Sequence, residues 1–221
     1  MQNKIGVEIG GPSSIFKTIL PIYHLPKRID GVNFSRETIW EGQLKEGLNF
    51  EWIKGKYGHQ FISEATKISK IRSNTYDFLL SSNCLEHIAN PLKAIKEWRR
   101  IITPSGYMVL ILPNQKNNFD HKRPVTKFSH LKKDYELNTT EEDLTHLKEI
   151  LKLHDLSKDP GNLNFEAFKL RSKNNYKNRC LHHHIFDLEL IVKMLKFSRF
   201  KIIQTNATAW DWIVLAKKTN V

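Results

Sequence analysis

Short apolar runs alternate with amphipathic stretches along most of the chain, the pattern of an α/β domain built on a mainly parallel sheet. KIGVEIG, from Lys4 to Gly10, reads as the first strand, RIDGVNF (Arg28 to Phe34) as the second and HQFISEA (His59 to Ala65) as the third. YDFLLSS, from Tyr76 to Ser82, is a continuous apolar run of the kind buried on both faces, so it belongs in the middle of the sheet. Asn90 and Pro91 then supply a cap and a first-turn proline, and Leu92, Ile95, Trp98 and Ile102 recur at helical spacing until TPSG stops the helix. YMVLIL (Tyr107 to Leu112) comes next as strand five. Near the end, Asp187 caps the helix LELIVKMLKF, and FKIIQTNAT and DWIVLAKK form two strands. The turn between them is too short for a parallel crossover, so they pair antiparallel.

Between strand five and the last helix lies a polar stretch longer than an ordinary connection, which predicts a functional or partly helical insertion. We read residues 115–181 as a substrate-binding lid inserted in one domain spanning 1–221. A chain of 221 residues, 40% hydrophobic, suits one domain with a real core better than two. The two cysteines, Cys84 and Cys180, have no C-x-x-C spacing, and the first strand starts within a few residues of Met1, so the expectation is a reduced, cytoplasmic setting. No apolar run approaches the roughly 18 residues that cross a bilayer, so no membrane span is expected.

The formal net charge of +12 raises the question of nucleic acid, because such a field attracts polyanions regardless of their sequence. The Lys and Arg residues are scattered over the whole chain, however, which reads as a solvated basic surface. The expected partner is therefore a small molecule, anionic in character, and nucleic acid is not expected; the oligomeric state is left open.

VEIGGPSS, residues 7 to 14, carries the chain out of the first strand. A dinucleotide turn brings a pyrophosphate against a helix N-terminus through three glycines. Here Pro12 has no N–H to donate and only Gly10 and Gly11 are open, so a cofactor without phosphates fits better and a nicotinamide dehydrogenase is a distant alternative. Together with YDFLLSSNCLEHIANPLKAIKEWRRIITPSGYMVLILPN, this loop resembles the class I S-adenosylmethionine-dependent methyltransferases, the methyltransferase-11-like group acting on small molecules or surface glycans. The resemblance covers about residues 4 to 114 and 182 to 219, with several motifs in matching order and spacing.

That resemblance implies an α/β, Rossmann-like, seven-stranded mostly parallel sheet with an antiparallel last strand, helices on both faces and the lid between strands five and six. It also implies S-adenosylmethionine as cofactor. Glu8, Gly10, Gly11 and Ser13 would form the turn beside the aminoacyl tail and ribose. Asn33, with Phe34 after it, stands where the family has a ribose-binding acid; Asp30 is the fallback, and a plain turn asparagine is the alternative. Glu64 and Ala65 match an adenine-edge pair, with an ordinary strand exit as the alternative. Ser81, Ser82 and Asn83 would lie at the ligand crevice, and His87 either contacts the cofactor or packs under the helix beyond it.

The insert and the residues just after it are rich in histidine, the natural proton acceptor near neutral pH. His121, His154, His182, His183 and His184 are the candidate bases, and Lys122, Arg123 and Arg179 the candidate clamps for an anionic group. A purely structural role for these histidines is the first alternative. A metal is the last: His146, His154 and Asp155 with the triple histidine would suit zinc, but the spacing does not demand it, and no metal is assigned.

The expected activity is O- or N-methylation of a small metabolite or of a sugar or phosphate group, with bacterial surface polysaccharide (capsule) biosynthesis as the expected setting. SSNCLEH lacks both the Asn/Asp-Pro-Pro-aromatic motif of nucleic-acid amino methyltransferases and the Pro-Cys of the cytosine C5 type. An RNA methyltransferase drawing on the positive charge, and a non-catalytic protein retaining the fold, remain the rivals.

Overall fold

The computed structural model describes residues 1–219. In chain order the strands and helices are β1 (Ile5–Ile9), β2 (Arg28–Asn33), β3 (Glu37–Thr38), β4 (Gly42–Gln43), β5 (Gly47–Ile53), β6 (Lys56–Ile62), β7 (Tyr76–Ser82), α1 (Pro91–Ile101), β8 (Ile102–Pro113), α2 (Phe128–Glu136), α3 (Leu147–Leu153), α4 (Phe165–Lys173), α5 (Asn175–Asn178), α6 (Leu188–Phe197), β9 (Phe200–Ala207) and β10 (Asp211–Lys218). One sheet runs in the order β5-β6-β2-β1-β7-β8-β10-β9, and β3 and β4 make a separate small hairpin. The central pairs β6/β2, β2/β1, β1/β7 and β7/β8 are parallel. β10 is antiparallel to both β8 and β9, which is the expected strand pair at the end of the chain.

The sheet has eight strands where seven were expected. β5 adds itself at one edge, antiparallel to β6. In GLNFEWI the inward positions Phe50 and Trp52 are buried while Asn49 and Glu51 are exposed, the period-two alternation of a half-buried strand. Because the hairpin turn falls between Ile53 and Lys56, β6 begins at Lys56 and ends at Ile62, ahead of the expected His59 to Ala65.

Among the described residues α-helices cover only one face of the sheet, a second departure from the expectation. There α1 and α6 bury Leu92, Ile95, Trp98, Ile191 and Met194 against β-strand residues such as Val7, Leu79 and Leu110, and Leu131 of α2 joins them. The core of the other face holds Phe16, Tyr23, Ile29, Phe50, Trp52 and Phe78 with their neighbours, and none of its members is α-helical. Two 3-10 turns, Ser14–Phe16 and Ile22–His24, stand where a crossover helix would. Pro12, Pro21 and Pro26 explain this, since a helix crossing that segment would lose a hydrogen bond and clash at each interior proline.

Both long helices begin as the sequence dictates. The Asn90 side chain accepts from Lys93 N at 3.1 Å with Pro91 in the first turn, and Asp187 Oδ1 accepts from Leu190 N at 2.7 Å. α1 ends at Ile101, and the chain passes directly into β8 with a register shift between Tyr76 and Phe78 of the partner strand. The segment after β8 carries α2 to α5 and a small core of its own around Ile150, Phe168 and Leu181. None of the helices of the described residues is long and apolar enough to cross a membrane.

Candidate functional site

The parallel strands deliver their C-terminal ends to one rim, where an open α/β sheet forms its ligand crevice. A cavity of ≈ 870 Å³ lies there, toward the upper end of the roughly 300–1,000 Å³ usual for small-molecule sites. At one end it is lined by Gly10 and Ser13 after β1, Asn33 and Phe34 at the end of β2, and Glu64 and Ala65 after β6. Ser82, Asn83 and His87 line its middle, and Phe119, Asp120, His154, Phe168 and His182 its far end.

Glu8 and Gly11, expected beside the cofactor, do not line the cavity; they build the turn from behind. Glu8 is fully buried, and its Oε1 accepts from Ser13 N at 3.0 Å while Oε2 accepts from the Tyr23 hydroxyl. Burial pushes its carboxyl up to about 7, against the pull of the Ser13 and Tyr23 donors. A Cβ on Gly11 would meet that carboxylate at 2.1 to 2.6 Å, so the acid and the glycine require each other. Gly10 has φ +80, and a Cβ there would lie 2.8 Å from Cys84 Sγ. The rim next to β1 is therefore a cradle kept open by the absence of a side chain, shaped for backbone contact with a ligand.

Asn33 Nδ2 donates to the Gly11 carbonyl at 3.0 Å, which directs its oxygen to other partners. Asp30, the fallback ribose acid, is occupied elsewhere: Oδ1 accepts from His59 N at 2.8 Å and Oδ2 from the Tyr76 hydroxyl at 2.8 Å. Glu64 accepts from Arg179 Nη2 at 2.7 Å, and Arg179 Nη1 reaches Glu141 at 3.1 Å while the guanidinium lies 5.0 Å above the Phe34 ring. Arg179 thus ties the insert to the sheet rim across the cavity's first end.

Of the candidate bases, His154 and His182 line the cavity and His121, His183 and His184 do not. His154 Nε2 lies 2.8 Å from Asp159 Oδ2, and its ring is stacked between Phe119 and Phe168, with ring centroids at 4.6 and 4.3 Å. His183 is buried against Asn175, and burial drives its pKa down to about 3. His182 Nδ1 lies 2.6 Å from Asp120 Oδ2. Burial opposes a charge on His182, but the Asp120 carboxylate outweighs it and raises the imidazole above its ordinary 6.5. Asp120 in turn stays ionised: its burial is outweighed by His182 and Arg123, and its pKa falls to about 2. Since an ionised carboxylate only accepts, Nδ1 carries the proton and the neutral ring keeps its lone pair on Nε2.

His87 donates Nδ1–H to the Leu181 carbonyl at 3.2 Å and packs 4.6 Å from the His182 ring; burial holds it neutral. Beside it, both oxygens of the buried Glu86 have no hydrogen-bond partner in the protein. Burial lifts this carboxyl to about 7, and a group in that condition calls for a donor from a ligand. Sequence reasoning missed Glu86, although it lies in the LEH triplet, and missed Asp120, because only the folded insert brings it to His182.

The residues expected to clamp an anion are otherwise engaged. Arg123 is buried, with Nη1 donating to Asp120 Oδ1 at 3.1 Å and to the His182 carbonyl at 2.8 Å, and Nε to Glu149 at 3.0 Å. Arg171 pairs with Asp159 at 2.8 Å, and Lys122 is largely exposed near Asp155, off the cavity. Among the described residues Glu41, Glu86 and Asp211 line the cavity without an ion pair, while Arg123, Arg171 and Arg179 are each paired with an acid. His146 does not meet His154 or Asp155; it stands with His130 and His184 away from the cavity.

The comparisons agree with this architecture. A family model described as a methyltransferase domain matches residues 7–110. No curated protein sequence matches the chain. Among solved structures, a Methanosarcina mazei S-adenosylmethionine-dependent methyltransferase is similar at 15% identity and TM-score 0.54, over 99% of this chain and 94% of that one. A Mesorhizobium loti S-adenosylmethionine-dependent methyltransferase gives 11% identity and 0.57, over 98% and 92%. A Haloferax volcanii protein in complex with the Trm112 methyltransferase activator gives 8% and 0.56, over 99% and 84%. Residues 7–110 thus match a methyltransferase domain, and the chain shares its fold with S-adenosylmethionine-dependent methyltransferases.

Proposed function

We propose that the protein methylates a hydroxyl or amine of a small, uncharged or amine-bearing acceptor, a sugar unit being the class that suits the cavity, with His182 as general base and Asp120 as the residue that orients it. The carrying observation is the dyad itself: His182 Nδ1 held at 2.6 Å by Asp120, in the cavity that the glycine turn of β1 also lines. When bound, S-adenosylmethionine supplies an electrophilic methyl group on a sulfonium. Gly10, Ser13 and the oxygen of Asn33 would hold its tail and ribose, Phe34, Glu64 and Ala65 its adenine. Glu64 can accept from an amine as well as from Arg179, because a carboxylate offers about four lone-pair directions.

The protein's own work is alignment and one proton. His182 Nε2 would take the proton from the acceptor hydroxyl or amine, whose oxygen or nitrogen would receive the methyl group as its bond to the sulfonium sulfur breaks, and Asp120 would stabilise the resulting imidazolium until the proton passes to solvent. Orientation can supply effective molarities of about 10⁵ to 10⁸ M, and proton removal about 10² to 10⁴-fold. Glu86 offers its unpartnered oxygens to hydroxyl or amine donors of the acceptor, and Phe119 and Phe168 offer flat apolar faces to a sugar ring. The insert 115–181 acts as the lid: Arg179 bridges it to Glu64 and excludes water from the first end of the cavity. Because every arginine of the cavity is paired with an acid, an anionic acceptor or an RNA backbone would enter an unfavourable field.

The test is transfer of labelled methyl from S-adenosylmethionine to a panel of neutral sugars, amino sugars, uronic acids, sugar phosphates and total RNA. Transfer to the neutral or amino sugars supports the reading. Transfer confined to anionic sugars or RNA would overturn the acceptor class.

A further inference from the structure

A second cluster of histidines lies outside the cavity. α2 carries His130 and Asp134 one turn apart on the same face, His146 stands at the N-terminus of α3, and His184 sits in the extended segment before α6. His130 Nε2 is 3.0 Å from His146 Nε2 and 3.3 Å from Asp134 Oδ2. Asp134 Oδ2 is 3.7 Å from His184 Nε2, and a ring nitrogen of each of the three histidines lies within 4.8 Å of the other two. We propose that His130, His146 and His184, with Asp134 beside them, form a structural zinc site that fastens the insert to the body of the fold.

Zinc binds imidazole nitrogen and carboxylate oxygen at about 2.0 to 2.2 Å, so the edges of its coordination tetrahedron are about 3.3 Å. The separations of 3.0 and 3.3 Å that His130 makes with His146 and Asp134 lie close to that value. The His184 ring completes the group, with its centroid 5.7 Å from that of His130 and 5.6 Å from that of His146. A metal-free cluster also leaves two atoms unmet. Asp134 is 6% exposed, yet its Oδ2 accepts no hydrogen bond, and His184 Nδ1 is likewise buried without a partner. One N–H shared between His130 and His146 would not satisfy either atom.

The surroundings supply what outer partners usually do for such a site. His184 Nε2, the nitrogen 3.7 Å from Asp134 Oδ2, donates to the Ala89 carbonyl at 3.0 Å and its unpartnered Nδ1 keeps a lone pair, while Asp134 Oδ1 accepts from the Thr139 hydroxyl at 3.2 Å. Three imidazoles with a carboxylate beside them favour zinc over the hard cations magnesium and calcium. None of the four lines the cavity, so the role is structural. Its reach extends to the dyad, since His184 is two residues from His182 in the same extended segment.

The experiment is metal analysis of the intact protein purified with zinc in the medium, alongside H146A, D134N and H182N. The proposal expects about one zinc per wild-type chain. It expects that zinc to be lost from H146A and D134N and kept in H182N, whose histidine belongs to the other cluster with Glu86 and His87. Should H146A fail to fold, wild-type protein stripped by a chelator and refilled with cobalt gives the intense visible absorption of a tetrahedral site, and its melting temperature rises on refilling. Metal-free wild-type protein with no cobalt spectrum overturns the proposal. So does zinc that survives in D134N and disappears from H182N. Neither result bears on methyl transfer, which is measured separately.

Discussion

Replacing Asp120 by Asn tests the proposed base without removing it. The Asp120 carboxylate accepts on both sides, from Arg123 Nη1 at 3.1 Å on Oδ1 and from His182 Nδ1 at 2.6 Å on Oδ2. An amide has only one oxygen. The guanidinium of Arg123 cannot accept, so the amide oxygen turns to Arg123 and the NH₂ faces His182. The imidazole must then accept on Nδ1 and carry its proton on Nε2, the wrong tautomer for a base. The dyad is buried, so water offers little relief. The loss should approach the whole contribution of a general base, about 10² to 10⁴-fold in kcat/KM, or about 3 to 5 kcal/mol of transition-state stabilisation. The pH profile carries a second signature. In the wild type His182 must be neutral to act, and the Asp120 charge raises its pKa above 6.5, so the rate climbs with pH through that raised value. In D120N the Asp120 charge that outweighed burial is gone, and the rising limb moves to lower pH. The assay is initial rate against pH for both proteins, with the melting temperature and the S-adenosylmethionine dissociation constant as controls. A D120N enzyme within a few-fold of wild type, or one that is slower with its rising limb in place, would refute the assignment.

The site leads to three further outcomes. Gly11→Ala puts a methyl into the Glu8 carboxylate, with contacts of 2.1 to 2.6 Å, and should lower the melting temperature by several degrees, at roughly 2–4 °C per kcal/mol for a chain of this length; an unchanged melting curve would contradict the packing described. Arg179→Ala removes the bridge from Glu64 to Glu141 and the contact with Phe34, and should raise the S-adenosylmethionine dissociation constant about tenfold, a cost of about 1.4 kcal/mol; Lys at this position, lacking the planar fork, should restore little in the same calorimetric titration. Asp120 gives a pH-dependent stability with a definite sign: its pKa falls from 3.8 to about 2 on folding, so its contribution, about 2 kcal/mol, is complete above pH 3.8 and is lost as pH falls toward 2. Acid titration of wild type and D120N, monitored by circular dichroism, should show the difference between them shrinking over that window.

The parts of the fold that were legible in the sequence were those whose patterns depend on local geometry alone. The apolar runs of β1, β7 and β8, the caps Asn90 and Asp187, and the short β9–β10 turn each have one physical solution. β5 also had a readable signal, Phe50 and Trp52 alternating with polar neighbours ahead of Gly55, and it went unread because the parallel pattern predicts a crossover there rather than a hairpin. The prolines at 12, 21 and 26 likewise foretold the missing helix on the second face.

The cavity's first end was legible because strand topology alone brings the residues after β1, β2, β6 and β7 to one rim. The far end was not. Asp120 and His182 are separated by 62 residues, and Asp134 and His184 meet only when the insert packs against α1. The three consecutive histidines show why composition misled: in an extended segment they diverge, His182 into the cavity, His183 to Asn175 and His184 to the Asp134 cluster. The i,i+4 spacing of His130 and Asp134 was the one visible clue to that cluster.

The most direct test of the central claim is a calorimetric titration of the intact protein with S-adenosylmethionine, repeated with G10V, whose side chain would fill the cradle beside Cys84. The account predicts saturable one-to-one binding near the micromolar range, about −8 kcal/mol, that is abolished in the variant. Absence of binding heat up to millimolar cofactor, or equal binding by G10V, would contradict it.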